Sequence, residues 1–316
     1  SSSFTVWYDS ISGGNIQGYG DFLTFVDSSS ISYYAESRAV IDNINEDFEN
    51  YSLGDSIAQS SENWETWSTG SVGGSEEDAQ VYNNITSNSS NSLVFNQGND
   101  IVLPLSDQAI TSGLISFEMD MNVDSIGYFS FQTDPIAGIG WAFEVVFIDD
   151  TVSVLEGQTN SSLIGKYPGP GIWFNISLAL DIDNGLGQLF IDNESLGFFD
   201  FNSSLGGVNF YAPPSVSYAI DNVSSYFVTN CVSQRSESFV TVGMPTSQKD
   251  SIVTCDSVFT WIDGNSYSES NDSATFTYQS ILGCDSVIEL DLTIINNRPE
   301  VSMSVGDLSC FQSNDG

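Results

Sequence analysis

The residues able to do chemistry in this chain are overwhelmingly carboxylates. There are 42 Asp and Glu against 5 Lys and Arg, and no His. Without imidazole the commonest general base is missing, as are Ser-His-Asp and Cys-His arrangements and most zinc sites. Two carboxylates at suitable spacing can hydrolyse a glycoside. Among 42 acids, however, such pairs occur whatever the function. No nucleophile elbow, phosphate loop or metalloprotease motif is present, so the chain reads as non-catalytic. Asp181, Asp183 and Asn184 imitate the start of a calcium loop, but the later ligands of an EF-hand are missing. Cys231, Cys255, Cys284 and Cys310 form no C-x-x-C pair, which argues against a zinc knuckle or redox motif. Aromatic side chains can stack on sugar faces, and Trp64, Trp67, Trp141, Trp173 and Tyr211 are available. Trp141 and Trp173 sit in alternating segments and read as core or inter-sheet residues. Trp64 and Trp67 lie in a polar, loop-like stretch. They are the better ligand candidates, with local packing as the alternative.

The charge balance limits the partners. A net charge of −37 leaves too few cations to neutralise phosphates, which excludes nucleic acid. An anionic membrane surface is repelled for the same reason. The charge favours solubility, tolerance of salt and capture of divalent cations; a plain solvated acidic surface is the competing reading. At 40% hydrophobic and 13% aromatic, the chain can still build real cores. Its 316 residues suggest two or more domains at roughly 150 each. Apolar runs such as Trp141–Ile148 are far too short to span a membrane. The chain opens on Ser-Ser-Ser without a signal peptide and stops at Gly316. It reads as an internal piece of a longer polypeptide.

The elements that must position these residues are strands. Ile115, Phe117, Met119, Met121 and Val123 alternate with Ser116, Glu118, Asp120 and Asn122, the mark of a half-buried strand. Phe174, Ile176, Leu178, Leu180 and Ile182 repeat the pattern. Asp183-Asn184-Gly185 then supplies turn residues, and Gln188–Asp192 alternates back, predicting a β-hairpin. No stretch has helical apolar spacing, so an all-β chain of many short strands is expected.

Particular segments resemble known families. Trp7-Tyr8-Asp9, Gly13-Gly14 and Tyr33-Tyr34-Ala35-Glu36 resemble the C-terminal half of immunoglobulin-like modules of secreted Bacteroidota proteins. Asp47-Phe48-Glu49, Trp64-Glu65-Thr66-Trp67-Ser68, Glu77-Asp78 and Ala219-Ile220-Asp221-Asn222-Val223 resemble laminin-G-like or carbohydrate-binding jelly rolls. The run Cys255–Gly264, Gly283-Cys284-Asp285-Ser286-Val287 and Leu290–Ile294 is similar to a tandem β-sandwich repeat of large adhesin-like proteins. Leu308-Ser309-Cys310-Phe311 and Asn314-Asp315-Gly316 resemble the opening of gliding-adhesin repeats. Texture and resemblance together imply tandem β-sandwiches, with immunoglobulin-like modules flanking a central laminin-G-like jelly roll. Residues 1–45 would end one immunoglobulin-like module, 46–229 form the jelly roll, 230–296 form a β-sandwich repeat, and 297–316 start another.

The resemblance also implies sites and a setting. Jelly rolls of this kind often share a structural Ca²⁺ between first and last strands. The matching residues are Asp47, Glu49 and Asp221, with Asp78 as a fourth candidate. A secreted setting suits a Cys255–Cys284 disulfide, worth roughly 3–4 kcal/mol on the chain-entropy model. Cys231 would bond within the same module or stay unpaired, and Cys310 would pair outside this stretch. Asp followed by Ser or Thr and a small or aliphatic residue resembles the Bacteroidota O-glycosylation sequon. It occurs at Ser10, Ser56, Ser125, Thr151, Ser251, Ser257, Ser273 and Ser286, against about two expected by chance. The implied function is a non-catalytic segment of a type IX-secreted cell-surface adhesin or stalk. Its partners would be polysaccharide or glycoprotein, flanking domains of the same chain, or further copies of itself. The alternatives are a carbohydrate-binding accessory region of a secreted hydrolase and a self-assembling fibre subunit.

Overall fold

A computed structural model describes residues 3–23, 30–68, 75–87, 90–156, 160–201, 204–214, 216–241, 247–279 and 285–295, without side chains at 160–162. The chain forms two compact units. One comprises Ser1–Val26 and Ile31–Val240, the other Asp27–Ser30 and Thr241–Gly316.

The first unit begins with β1 (Ser3–Tyr8), β2 (Ile16–Tyr19), β3 (Ile31–Glu46), the one-turn helix α1 (Ile57–Ser60) and β4 (Glu65–Thr66). It continues with β5 (Gln80–Tyr82), β6 (Ser92–Phe95), β7 (Asp100–Pro104), β8 (Leu114–Val123), β9 (Ile126–Gln132) and β10 (Trp141–Ile148). Then come β11 (Thr151–Glu156), β12 (Asn160–Lys166), β13 (Trp173–Asp181), β14 (Leu186–Ile191) and β15 (Glu194–Asp200). It ends with β16 (Gly207–Tyr211), β17 (Tyr218–Val232) and β18 (Ser236–Val240). One sheet runs β15-β14-β13-β8-β17-β3-β1-β2, with β18 on β3, β6 on β17 and β5 on β6. The other runs β12-β11-β10-β9-β16-β7-β4. The fold is an all-β, jelly-roll-like sandwich of curled sheets.

Alternation explains the core. In β8, Ile115, Phe117, Met119, Met121 and Val123 all point between the sheets. In β13, Phe174, Ile176, Leu178 and Leu180 join them. The second sheet answers with Phe129, Phe131, Phe143, Val145, Phe147 and Phe210. Phe117 meets Phe131 edge-on at 5.4 Å. Each such side chain contributes about 1.5–3 kcal/mol by burial. The predicted hairpin is β13–β14, with Leu180 opposite Gly187 and Asp181 opposite Leu186. Gly185 turns it at φ 62°. The Asp181 carboxylate accepts hydrogen bonds from the Asn184 backbone and side chain at 3.0 and 2.8 Å, as a turn brace rather than a calcium loop.

The N-terminal strands are part of this unit. β3 runs from Ile31 to Glu46, up to the expected module boundary at 45/46, and its C-terminal half pairs with β17. Its N-terminal half pairs with β1 and β18. Val6, Tyr8 and Tyr19 pack with Leu114, Ala179 and Val228, on the face of the first sheet opposite the main core. The Tyr19 hydroxyl donates to Asp181 at 2.9 Å, and its backbone N–H donates to Gln188 Oε1 at 2.9 Å. β1, β2 and the N-terminal half of β3 therefore pack on the sandwich as a cover.

The second unit contains β19 (Ser247–Thr254), β20 (Phe259–Thr260), β21 (Ser266–Tyr267), β22 (Thr275–Gln279) and β23 (Asp285–Ile294). β23 pairs parallel with β19 and antiparallel with β22. Its small core is Trp261, Leu290, Leu292 and Ile294. The Trp261 indole N–H donates to Asp250 at 2.8 Å.

Candidate functional site

The face of the second sheet turned away from the core holds an aromatic strip. Strand parity puts it there. Across β4, Glu65 is paired with Val102 and Thr66 with Ile101, and the Trp67 backbone N–H donates to the Asp100 carbonyl at 3.0 Å. Thr66 and Ile101 are buried, while Trp64 fills the core. Glu65 and Trp67 thus face outward. Tyr211 lies opposite Asp100, so it shares their face. Tyr128 meets Tyr211 edge-on at 6.4 Å. Trp141 stacks on Trp67 at 5.9 Å and 30°. Their strands are separated by β9, β16 and β7, so the stack reports the strong curl of this sheet. Trp141 is 40% exposed and Tyr211 37%.

Polar groups run beside the rings. Glu144, Ser130 and Asn209 form one row across β10, β9 and β16. The Tyr128 hydroxyl donates to Glu144 at 2.6 Å. Burial, and then that carboxylate, push the Tyr128 phenol pKa up. Asn209 Nδ2 donates to Asp100 at 2.7 Å. Desolvation nevertheless raises Asp100 to about 6, with the nearby Glu77 charge a smaller contribution.

Trp67 also walls a groove of about 680 Å³ at the β4 edge. This volume lies in the range of small-molecule sites, about 300–1,000 Å³. Asn43, Asn63, Glu62, Glu65 and Asp107 supply polar groups, and Ile136 lines it as well. The 133–140 loop beside it is pinned at several points. Thr133 N–H donates to the Gly140 carbonyl at 3.0 Å, and Gly138 N–H to Gln132 Oε1 at 3.3 Å. The Ser204 hydroxyl donates to the Thr133 carbonyl at 2.7 Å. Gly206 has no room for a Cβ, which would lie 2.0 Å from the Asp134 carbonyl carbon. Gly138, at φ 80°, passes close to the Trp67 ring. The loop presents Ile136 and Ile139 at 65% and 64% exposure. An aromatic wall, carboxylates and carboxamides are therefore held together at a fixed edge.

The expected ligand tryptophans divide. Trp67 is in the site. Trp64 is 1% exposed and packs on Phe48 and Phe210 at 6.1 and 5.8 Å. It is a core residue, because its parity in β4 is opposite to that of Trp67. Trp141, expected in the core, is at the site instead: the register slips between Trp141 and Phe143, and the ring turns outward. Nothing in the sequence pattern singles out Tyr128 or Glu144, which only the pairing of β9 with β10 brings together.

The four expected calcium ligands have separate engagements. Asp78 caps α1, accepting from Ala58 and Gln59 N–H at 2.9 and 3.2 Å. Glu49 Oε1 accepts from Ser90 and Asn91 N–H at 2.8 and 2.7 Å. Asp47 accepts from Glu49 N–H at 3.1 Å. Asp221 is buried opposite Asp120 and accepts from Asn222 N–H at 2.8 Å. Among the described residues no group of three or more His, Cys, Asp or Glu is placed to hold a metal ion.

Among the described residues Cys255 and Cys231 are exposed thiols without a disulfide partner. The expected Cys255–Cys284 bond involves Cys284, which lies outside the described residues, as does Cys310. Of the sequon residues, Ser125, Ser251, Ser257 and Ser273 are exposed, and Ser10, Ser56 and Thr151 are half-buried. Ser286 is 1% exposed, so a glycan there would require β23 to open.

No family model matches the chain, and no curated protein is similar to it in sequence. Solved structures give distant likenesses. A sialidase is 11% identical at TM-score 0.37, over 62% of this chain and 21% of that one. The Emp46p carbohydrate recognition domain in its potassium-bound form is 11% identical at TM-score 0.37, over 58% and 95%. Carbohydrate-binding module CBM66 from Bacillus subtilis is 14% identical at TM-score 0.34, over 52% and 94%. The chain spans about a fifth of the length of the sialidase it matches.

Proposed function

We propose that the first unit is a glycan-binding β-sandwich whose site is the tryptophan-walled groove and the aromatic strip beside it. The observation that carries this is the Trp67–Trp141 stack, whose Trp67 lines the groove with Glu65, Asn63, Asn43 and Asp107. A sugar ring has an apolar face for an indole and hydroxyls for carboxylates and amides. The site offers both in one place, beside a pinned loop, so little ordering entropy is lost on binding. In this reading the chain belongs to an extracellular protein that attaches to polysaccharide or glycoprotein. An adhesin or stalk and an accessory region of a secreted hydrolase share this binding role. Many further repeats in the flanking sequence would favour the first, and a catalytic domain the second.

The test is a glycan array probed with the whole chain, followed by titration of the best ligand. Trp67→Ala and Trp141→Ala are expected to weaken binding about tenfold or more each, without loss of fold. Unchanged affinity in both variants would remove the groove from the proposal.

A further inference from the structure

We infer that the groove selects uncharged glycans and rejects acidic ones; the inference rests on the glycan-binding reading above. The groove carries three carboxylates, Glu62, Glu65 and Asp107, and among the described residues no Lys or Arg lines it. The described cations are engaged elsewhere. Arg38 and Arg235 both pair with Glu36, Lys166 with Asp150, and Lys249 with Asp291. Recognition of a uronate, sulfate or sialate carboxylate normally calls on Arg or Lys, with Arg offering the bidentate fork. Here the charged groups among the described lining residues are all of like sign. A neutral sugar meets the opposite situation, because its hydroxyls donate and carboxylates are strong acceptors. Donors are scarcer on the protein side. One of the two Asn43 side-chain N–H donors already bonds the Leu105 carbonyl at 2.9 Å. The Ser68 hydroxyl and backbone N–H both donate to Glu77. Stacking on Trp67 is indifferent to charge, so the carboxylates decide between ligands that share a ring.

The decisive experiment uses polysaccharide pairs differing only at C6: a linear glucan, mannan or galactan, and the corresponding uronan. The whole chain is titrated with each at about 10 mM and about 1 M salt, where charges are screened over roughly 30 and 3 Å. In the pair that binds, the neutral polymer is expected to bind at least about tenfold tighter at low salt, and the gap to shrink at high salt. The variant Glu62→Gln/Glu65→Gln/Asp107→Asn should narrow the neutral-to-acidic ratio at low salt, whatever it does to either affinity alone. A uronan that binds as tightly as its neutral partner at low salt, or a ratio unmoved in the variant, overturns the inference but leaves glycan binding standing. No binding to any polymer by the folded chain overturns the glycan-binding reading itself.

Discussion

Trp64 and Trp67 show how strand parity assigns a residue its role. Both lie in one polar stretch, yet β4 sends Trp64 inward with Thr66 and Trp67 outward with Glu65. Trp64 packs on Phe48 and Phe210, and among the described residues its indole N–H has no hydrogen-bond partner. An unmade buried hydrogen bond costs about 1–3 kcal/mol, which the packing of the ring must exceed. Trp64→Ala should therefore lower unfolding free energy in urea by about 3–5 kcal/mol. Trp67→Ala should change it by less than about 1 kcal/mol. The signal is present in the sequence, since positions three apart on a strand face opposite ways. It is hidden because β4 is only two residues long and reads as loop. Trp141 misleads for the opposite reason: it opens a strongly alternating strand, but a register slip turns it out. Asp100 gives a pH test. Its pKa is raised to about 6 by burial, above an ordinary value of 3.8. The folded state then binds more protons than the unfolded between those values, so stability falls as pH rises from about 4 to about 6. Asp100→Asn should flatten that slope in thermal melts and raise the Tm at pH 7 by about 2–4 °C.

At the level of elements, local patterns are legible in the sequence and distant pairings are not. The β13–β14 hairpin and the inward face of β8 follow from alternation and from Asp183-Asn184-Gly185. The docking of β1 and β2 onto the outer face of the sandwich does not. It depends on Tyr19 meeting Asp181 and Gln188, separated by 162 and 169 residues. The resulting cover is closed by an ion triad. Glu36 accepts from Arg38 at 3.0 Å and from Arg235 at 3.3 Å. Arg235 also lies over the Tyr8 ring at 3.3 Å and donates to the Ser10 and Gly13 carbonyls at 2.6 Å each. Both arginine side chains and Glu36 are largely shielded from solvent, at 21%, 12% and 11% exposure. Glu36→Gln would leave two guanidiniums without their carboxylate, and we expect a loss of about 3 kcal/mol in urea unfolding. Asp150→Asn, at the open Lys166 pair, should have no measurable effect. Equal behaviour of the two variants would show that the triad does not clasp the cover.

For the whole molecule, charge dominates outside the cores. With a net charge of −37 the folded chain repels itself. Its Tm should rise steadily from about 10 mM to about 500 mM NaCl as screening shortens the range of that repulsion. A flat or falling Tm would mean that the acids are too well spaced, or too well bonded, to matter. The extracellular setting has its own check in intact mass. Hexose-like increments above 34.2 kDa on native material, mapping to exposed Ser125, Ser251, Ser257 or Ser273, would support it. An unmodified mass would remove the glycosylation proposal. The central claim, that sugar binds at the Trp67–Trp141 edge, is tested most directly by the indole N–H signals of the 6 tryptophans, followed by NMR during titration with a neutral oligosaccharide. The account predicts that Trp67 and Trp141 shift saturably while buried Trp64 and Trp261 stay in place. Saturable shifts that spare both Trp67 and Trp141 would contradict it.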